Sequence, residues 1–141
     1  MAPALSSPQR LRREDILRKT QQLFLELLDA ISFVLESVLD DERIPPEYML
    51  KLRYMLSKLS EACREGKKEI ILQSFLEIYK LSRECLNLLP FDERDVVEDV
   101  LRESPERIKR IVQSILSDKV LINTLGNFAE ALLQEIYEEA K

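Results

Sequence analysis

The sequence predicts an all-α fold, a single-domain bundle of five to six helices around a long, very apolar first helix. Glycine occurs only at Gly66 and Gly126, and the strict alternation of apolar and polar residues that is typical of strands is absent. Leu, Glu, Lys and Arg, which favour helices, dominate the composition. The 141 residues are enough for one domain with a hydrophobic core. We expect a flexible N-terminal tail over residues 1–7 and one helical-bundle domain over residues 8–141.

The first helix is predicted over residues 8–40, with Pro8 in its first turn. It contains Leu23–Leu39, in which twelve of seventeen residues are apolar. At about 100° per residue the polar side chains of this stretch share an arc of roughly 140°, which leaves an apolar arc about twice as wide as that of a surface helix. Other helices or a second chain must therefore cover this helix on several sides, which makes it the predicted axis of the bundle. Its internal carboxylates exclude a membrane-spanning helix.

A proline and a glycine predict the boundaries of the next two helices. Pro46 fits the first turn of a helix over residues 46–64. Gly66 suits the position after the end of that helix, where a left-handed backbone is favoured. The following helix is predicted over residues 67–89, and the short turn at Gly66 makes the two helices an antiparallel hairpin.

Two short helices are predicted to follow. Asp92 is a good cap for a helix over residues 93–102. Ser104, Pro105 and a first-turn glutamate mark the start of a helix over residues 105–116.

The last predicted helix covers residues 119–140, and Asp118 offers it a cap. Gly126 lies inside this helix at a cost near 1 kcal/mol relative to alanine. Together with Ala129, Gly126 indicates a close approach of another backbone.

Charge is distributed in blocks of opposite sign. The net charge is −5, which argues against generic binding to nucleic acid. Residues 1–22 nevertheless hold five basic and two acidic side chains, whereas residues 90–103 hold six acidic and two basic ones. The abundance of charged residues, with few Asn and no His or Trp, indicates a thermophilic source.

The two cysteines, Cys63 and Cys85, lie in apolar helical patterns and are predicted to be buried free thiols. In the predicted hairpin they are roughly 24 Å apart, too far for a disulfide. The first residues lack the apolar segment of a signal peptide, so we expect a cytoplasmic protein, or one inside a host cell if it is viral.

The residue types required by several enzyme classes are missing. Without histidine, Ser-His and Cys-His catalysis, two-His zinc sites and ferritin-like di-iron sites are excluded. Neither glycine belongs to a phosphate-binding loop. We therefore expect no enzymatic activity, no catalytic residues, no metal, no cofactor and no small-molecule substrate.

The remaining function is recognition of a partner. We predict a non-catalytic protein–protein interaction module that acts as a homodimer or as a small subunit of a larger assembly. The first and last helices offer more apolar surface than four short helices cover. The predicted partner-binding residues are Phe33, Val34, Phe128 and Tyr137.

A second hypothesis is an accessory nucleic-acid-binding subunit of a viral or defence complex. It depends on the basic residues of the first helix, which are clustered within one segment. The candidate phosphate contacts are Arg10, Arg12, Arg13, Arg18 and Lys19.

Overall fold

The computed structural model describes residues 3–39 and 45–139, and it describes side chains over residues 12–39 and 45–137. Within these ranges the chain forms helices without a strand, which confirms the all-α prediction. The helices are α1 (Pro3–Leu39), α2 (Pro46–Glu65), α3 (Lys68–Leu86), α4 (Phe91–Leu101), α5 (Pro105–Ile115) and α6 (Lys119–Glu139).

Two helices begin earlier than predicted. α1 begins at Pro3, a second proline that suits a first helical turn, so residues 3–7 of the predicted tail belong to the helix. α4 begins at Phe91 because Pro90, with an extended backbone, occupies the cap position. The carbonyl of Pro90 accepts from the Arg94 N–H at 3.0 Å. The prediction that Asp92 caps α4 is wrong. Asp92 lies instead in the first turn of α4, where a negative charge is favourable.

The other boundary signals are confirmed. Gly66 has a left-handed backbone with φ of 70° at the end of α2. The Ser104 side chain accepts from the Arg107 N–H at 3.3 Å and caps α5. Asp118 Oδ1 accepts from the Val120 N–H at 3.0 Å and caps α6.

α1 contacts α3, α4, α5 and α6, as expected of a helix that other helices cover on several sides. Within Leu23–Leu39 the apolar side chains turned towards these helices are almost fully buried. The ring of Phe24 lies 5.9 Å from the ring of Phe75 in α3 and connects the two helices within the core. The wide apolar arc thus packs against several neighbouring helices.

The most extensive contact between helices joins α2 and α6. A Cβ atom added at Gly126 would lie 3.3 Å from the Cβ atom of Cys63, and Ala129 is fully buried. The close approach predicted from these small residues is therefore confirmed. Cys63 and Cys85 are both buried and free, and burial raises the pKa of each thiol to about 11.

Tyr79 fixes the turn between α4 and α5 to α3. Its side chain is fully buried, and its hydroxyl group donates towards the carbonyls of Leu101, at 2.9 Å, and Glu103, at 2.6 Å. Carbonyls in the last turn of a helix have no partner within the helix, so Tyr79 satisfies an acceptor at the end of α4. Burial raises the pKa of the Tyr79 phenol to about 12.

Candidate interaction surface

The N-terminal part of α1 extends beyond the other helices. We call residues 12–20 the arm, because the side chains of residues 12–19 are all exposed. Gln21 Nε2 donates to Asp118 Oδ2 at 3.4 Å and marks the level at which the bundle begins. The 37 residues of α1 span about 55 Å, compared with about 30 Å for α2. Residues 12–19 of the arm are therefore exposed around the whole helix, whereas Thr20 lies at the edge of the bundle.

The arm continues the apolar stripe of α1. Ile16 and Leu17 are 61% and 52% exposed. Ile16 lies seven residues before Leu23, which is partly exposed, and Leu17 lies seven residues before Phe24, which is buried. A spacing of seven keeps residues on the same side of a helix. The apolar stripe of α1 that packs in the core thus continues onto the arm, where no other helix of the described structure covers it.

The charges on the arm are unequally distributed around the helix. At about 100° per residue, Arg12, Arg13 and Lys19 lie within about 60° of Ile16. The acidic residues of the arm and Arg18 lie about 100° to 160° away by the same measure. Lys19 Nζ is 3.4 Å from Asp15 Oδ2, a surface contact of small energetic value. The apolar side of the arm is therefore flanked by basic side chains.

A groove lies beside this stripe, between α1, α4 and α5. It consists of two adjoining cavities of about 190 Å³ and about 720 Å³ that share Leu23, Glu103, Arg107 and Ile111. The apolar lining comes from three separate parts of the chain. These side chains are Leu23, Leu27, Val100, Ile108 and Ile111.

The two rims of the groove carry opposite charge. Glu26 in α1, Asp99 in α4 and Glu103 in the turn after α4 line one side. Arg107 and Arg110 line the side formed by α5. Arg107 Nη1 lies 3.4 Å from Glu103 Oε2, so part of the basic rim is already neutralised.

The predicted partner-binding residues differ in how far they are buried. Val34 is fully buried against the other helices, so its prediction as a surface contact is wrong. Phe33 and Phe128 are partly buried and pack against the core. Tyr137 is 45% exposed, and the guanidinium carbon of Arg53 lies 4.5 Å from the centre of its ring. These residues do not include the most exposed apolar side chains of α1.

Four of the five basic residues predicted as phosphate contacts lie on the arm. Arg12, Arg13, Arg18 and Lys19 are all exposed there. Arg10 also belongs to α1, but its side chain lies outside the described residues. Arg12, Arg13, Arg18 and Lys19 occupy different sides of the helix, so no single flat surface presents all four.

Sequence reasoning missed Ile16, Leu17 and the groove. The first half of α1 has a polar and basic composition, so the two apolar residues within it did not indicate an apolar surface. The seven-residue spacing from Ile16 to Leu23 and from Leu17 to Phe24 is the signal that could have revealed them. The groove has no comparable local signal, because its residues are distant in sequence.

The described residues show two further absences. In residues 3–39 and 45–139, every helix falls short of the continuous apolar length needed to cross a bilayer. Over the same ranges, no three His, Cys, Asp or Glu side chains are close enough together to hold a metal ion.

No family model matches this chain, and no curated protein or solved structure shows significant similarity to it.

Proposed function

We propose that this chain is a non-catalytic protein–protein interaction module that buries the apolar side of the arm against a protein partner. The observation that carries the proposal is the exposure of Ile16 and Leu17 on a helical segment that continues the core stripe of α1. The partner is a second copy of the chain or another subunit of a larger assembly.

The stability of the arm supports this proposal. The arm is continuous with the packed part of α1, but tertiary packing supplies most of the stability of helices in proteins. The arm lacks such packing in the described structure. Covering the exposed parts of Ile16 and Leu17 would contribute on the order of 2 kcal/mol. A partner would therefore both hide apolar surface and stabilise the helix.

We expect Ile16→Ser combined with Leu17→Ser to weaken association with the partner. Light scattering behind a sizing column, at two protein concentrations and with or without mixed oligonucleotides, measures the effect on self-association. Wild-type protein is expected to approach twice 16.5 kDa at the higher concentration, and the double variant to remain smaller.

Leu25→Ser is the matched control, because Leu25 is 42% exposed but lies about 180° from Ile16 on the helix. This variant should associate like the wild type. A monomer that gains mass only when oligonucleotides are added would contradict the proposal.

The second candidate function is an accessory nucleic-acid-binding subunit. It is supported by the exposure of Arg12, Arg13, Arg18 and Lys19 on one helical segment. The net charge of −5 and the acidic side of α4 oppose it, since they repel phosphate.

Arg18→Glu tests this second function. If the arm binds single-stranded oligonucleotides, the substitution should weaken binding and lower the salt dependence by about one phosphate contact. Fluorescence anisotropy with a labelled oligonucleotide at several salt concentrations gives both quantities. Equal binding by Arg18→Glu and wild type would argue against the arm as a phosphate-binding site.

A further inference from the structure

We infer that the groove between α1, α4 and α5 receives the arm of a second copy of this chain, so that two copies form a twofold-symmetric, antiparallel dimer. This inference rests on the proposed interaction function and specifies its partner. In a twofold dimer each copy contributes the same surface, so the arm and the groove must complement each other on a single chain.

The apolar surfaces of the arm and the groove fit together. Both contain the same stripe of α1, because Leu23 and Leu27 line the groove and Ile16 continues the stripe along the arm. When two such helices pair antiparallel, a register that places Ile16 of one copy level with Leu27, in the floor of the other copy's groove, brings Thr20 level with the exposed Leu23. The groove is open at this position, where its larger cavity is about 720 Å³.

The charges fit in the same arrangement. In that register Lys19 of one copy lies beside Glu26 of the other, and the symmetry repeats the contact. Arg12 lies on the same flank of the arm as Lys19, about 20° away on the helical wheel. The acidic rim of the groove also contains Asp99. A basic flank thus faces an acidic rim twice in each dimer, which favours this orientation over a parallel one.

The opposite charges point to a second copy rather than nucleic acid as the occupant. A phosphate backbone in this groove would meet Arg107 and Arg110 on one rim, but also the carboxylates of Glu26, Asp99 and Glu103. The flank of the arm formed by Arg12 and Lys19 meets the acidic rim favourably, whereas Arg107 and Arg110 lie on the opposite rim.

Reciprocal charge reversal tests the dimer. The arm variant carries Arg12→Glu and Lys19→Glu, and the groove variant carries Glu26→Lys and Asp99→Lys. Each variant alone places like charges together twice, so its dimer dissociation constant should rise at least about tenfold. An equimolar mixture restores opposite charges at both contacts, and should form a heterodimer of about twice 16.5 kDa.

Sedimentation velocity or light scattering of each variant and of the mixture provides the measurement. Arg18→Glu is the matched control, since it reverses a charge on the same arm about 160° from Ile16 and should leave the dimer intact. Circular dichroism confirms that all variants retain their helix content, and heterodimer formation independently shows that both charge variants are folded.

Three results would overturn the inference. The first is a wild-type protein that stays monomeric at high concentration. The second is a pair of charge variants that dimerise as well as the wild type. The third is a mixture that fails to associate. If association persists in both charge variants but is lost in Ile16→Ser with Leu17→Ser, the proposed interaction function stands and this dimer geometry fails. If all these variants associate normally, both fail.

Discussion

Replacing Phe24 with alanine is expected to lower the free energy of unfolding by about 3–5 kcal/mol. The ring is fully buried at the place where α1 enters the bundle, and it lies 5.9 Å from the ring of Phe75. The substitution removes the transfer free energy of the ring and leaves a cavity that surrounding helices fill only partly. Urea denaturation at low protein concentration measures the change, because any dimer would make stability depend on concentration.

Leu25→Ala is the matched control on the neighbouring residue. Leu25 is partly exposed, so its truncation should change stability by less than about 0.5–1 kcal/mol. A Phe24→Ala protein as stable as the Leu25→Ala protein would mean that α1 is not the axis around which this core is packed.

Tyr79→Phe is expected to cost about 1–3 kcal/mol of stability. The ring remains, but the hydroxyl group no longer donates to the buried carbonyl of Leu101 or to that of Glu103. The loss should destabilise the turn between α4 and α5, which forms one end of the groove. Chemical denaturation measures the total cost, and hydrogen exchange in α4 and α5 locates it. Tyr54→Phe, at an exposed tyrosine, should be almost neutral.

The effect of Tyr79 should also depend on pH. Its pKa is raised from an ordinary value of 10 to about 12 in the folded state, chiefly by burial. Below pH 10 the phenol is neutral in both states, so its full contribution is present. Above pH 10 the unfolded state ionises first, and the contribution is lost as pH rises towards 12. The stability difference between wild type and Tyr79→Phe should therefore shrink from pH 10 to 12. A difference that stays constant would contradict the shifted pKa.

Local sequence signals predicted the secondary structure well. Gly66, Ser104 and Asp118 identify helix ends because each satisfies a specific backbone requirement, either a left-handed conformation or an acceptor for a free N–H. Such requirements involve residues within a few positions of each other. The start of α1 was less well predicted, since Pro3 and Pro8 both suit a first turn.

The packing of the helices against one another was harder to predict from the sequence. A helical wheel showed that α1 needs neighbours over a wide arc, but not which side chains they cover. Val34 and Phe33 are adjacent in sequence, yet Val34 is fully buried and Phe33 only partly. The groove depends on how α4 and α5 pack beside α1, and this follows from side chains separated by some 75 residues or more, such as Leu23 and Val100.

The contact between α2 and α6 affects the order in which the helices pack while the protein is being synthesised on the ribosome. α2 and α3 form a local hairpin and can pack soon after Leu86 has emerged. The other apolar side of α2, which includes Cys63 opposite Gly126, has no cover until α6 has been synthesised and has docked. During that interval the nascent chain exposes an apolar helix surface that the folded protein buries, and such exposed surface favours aggregation.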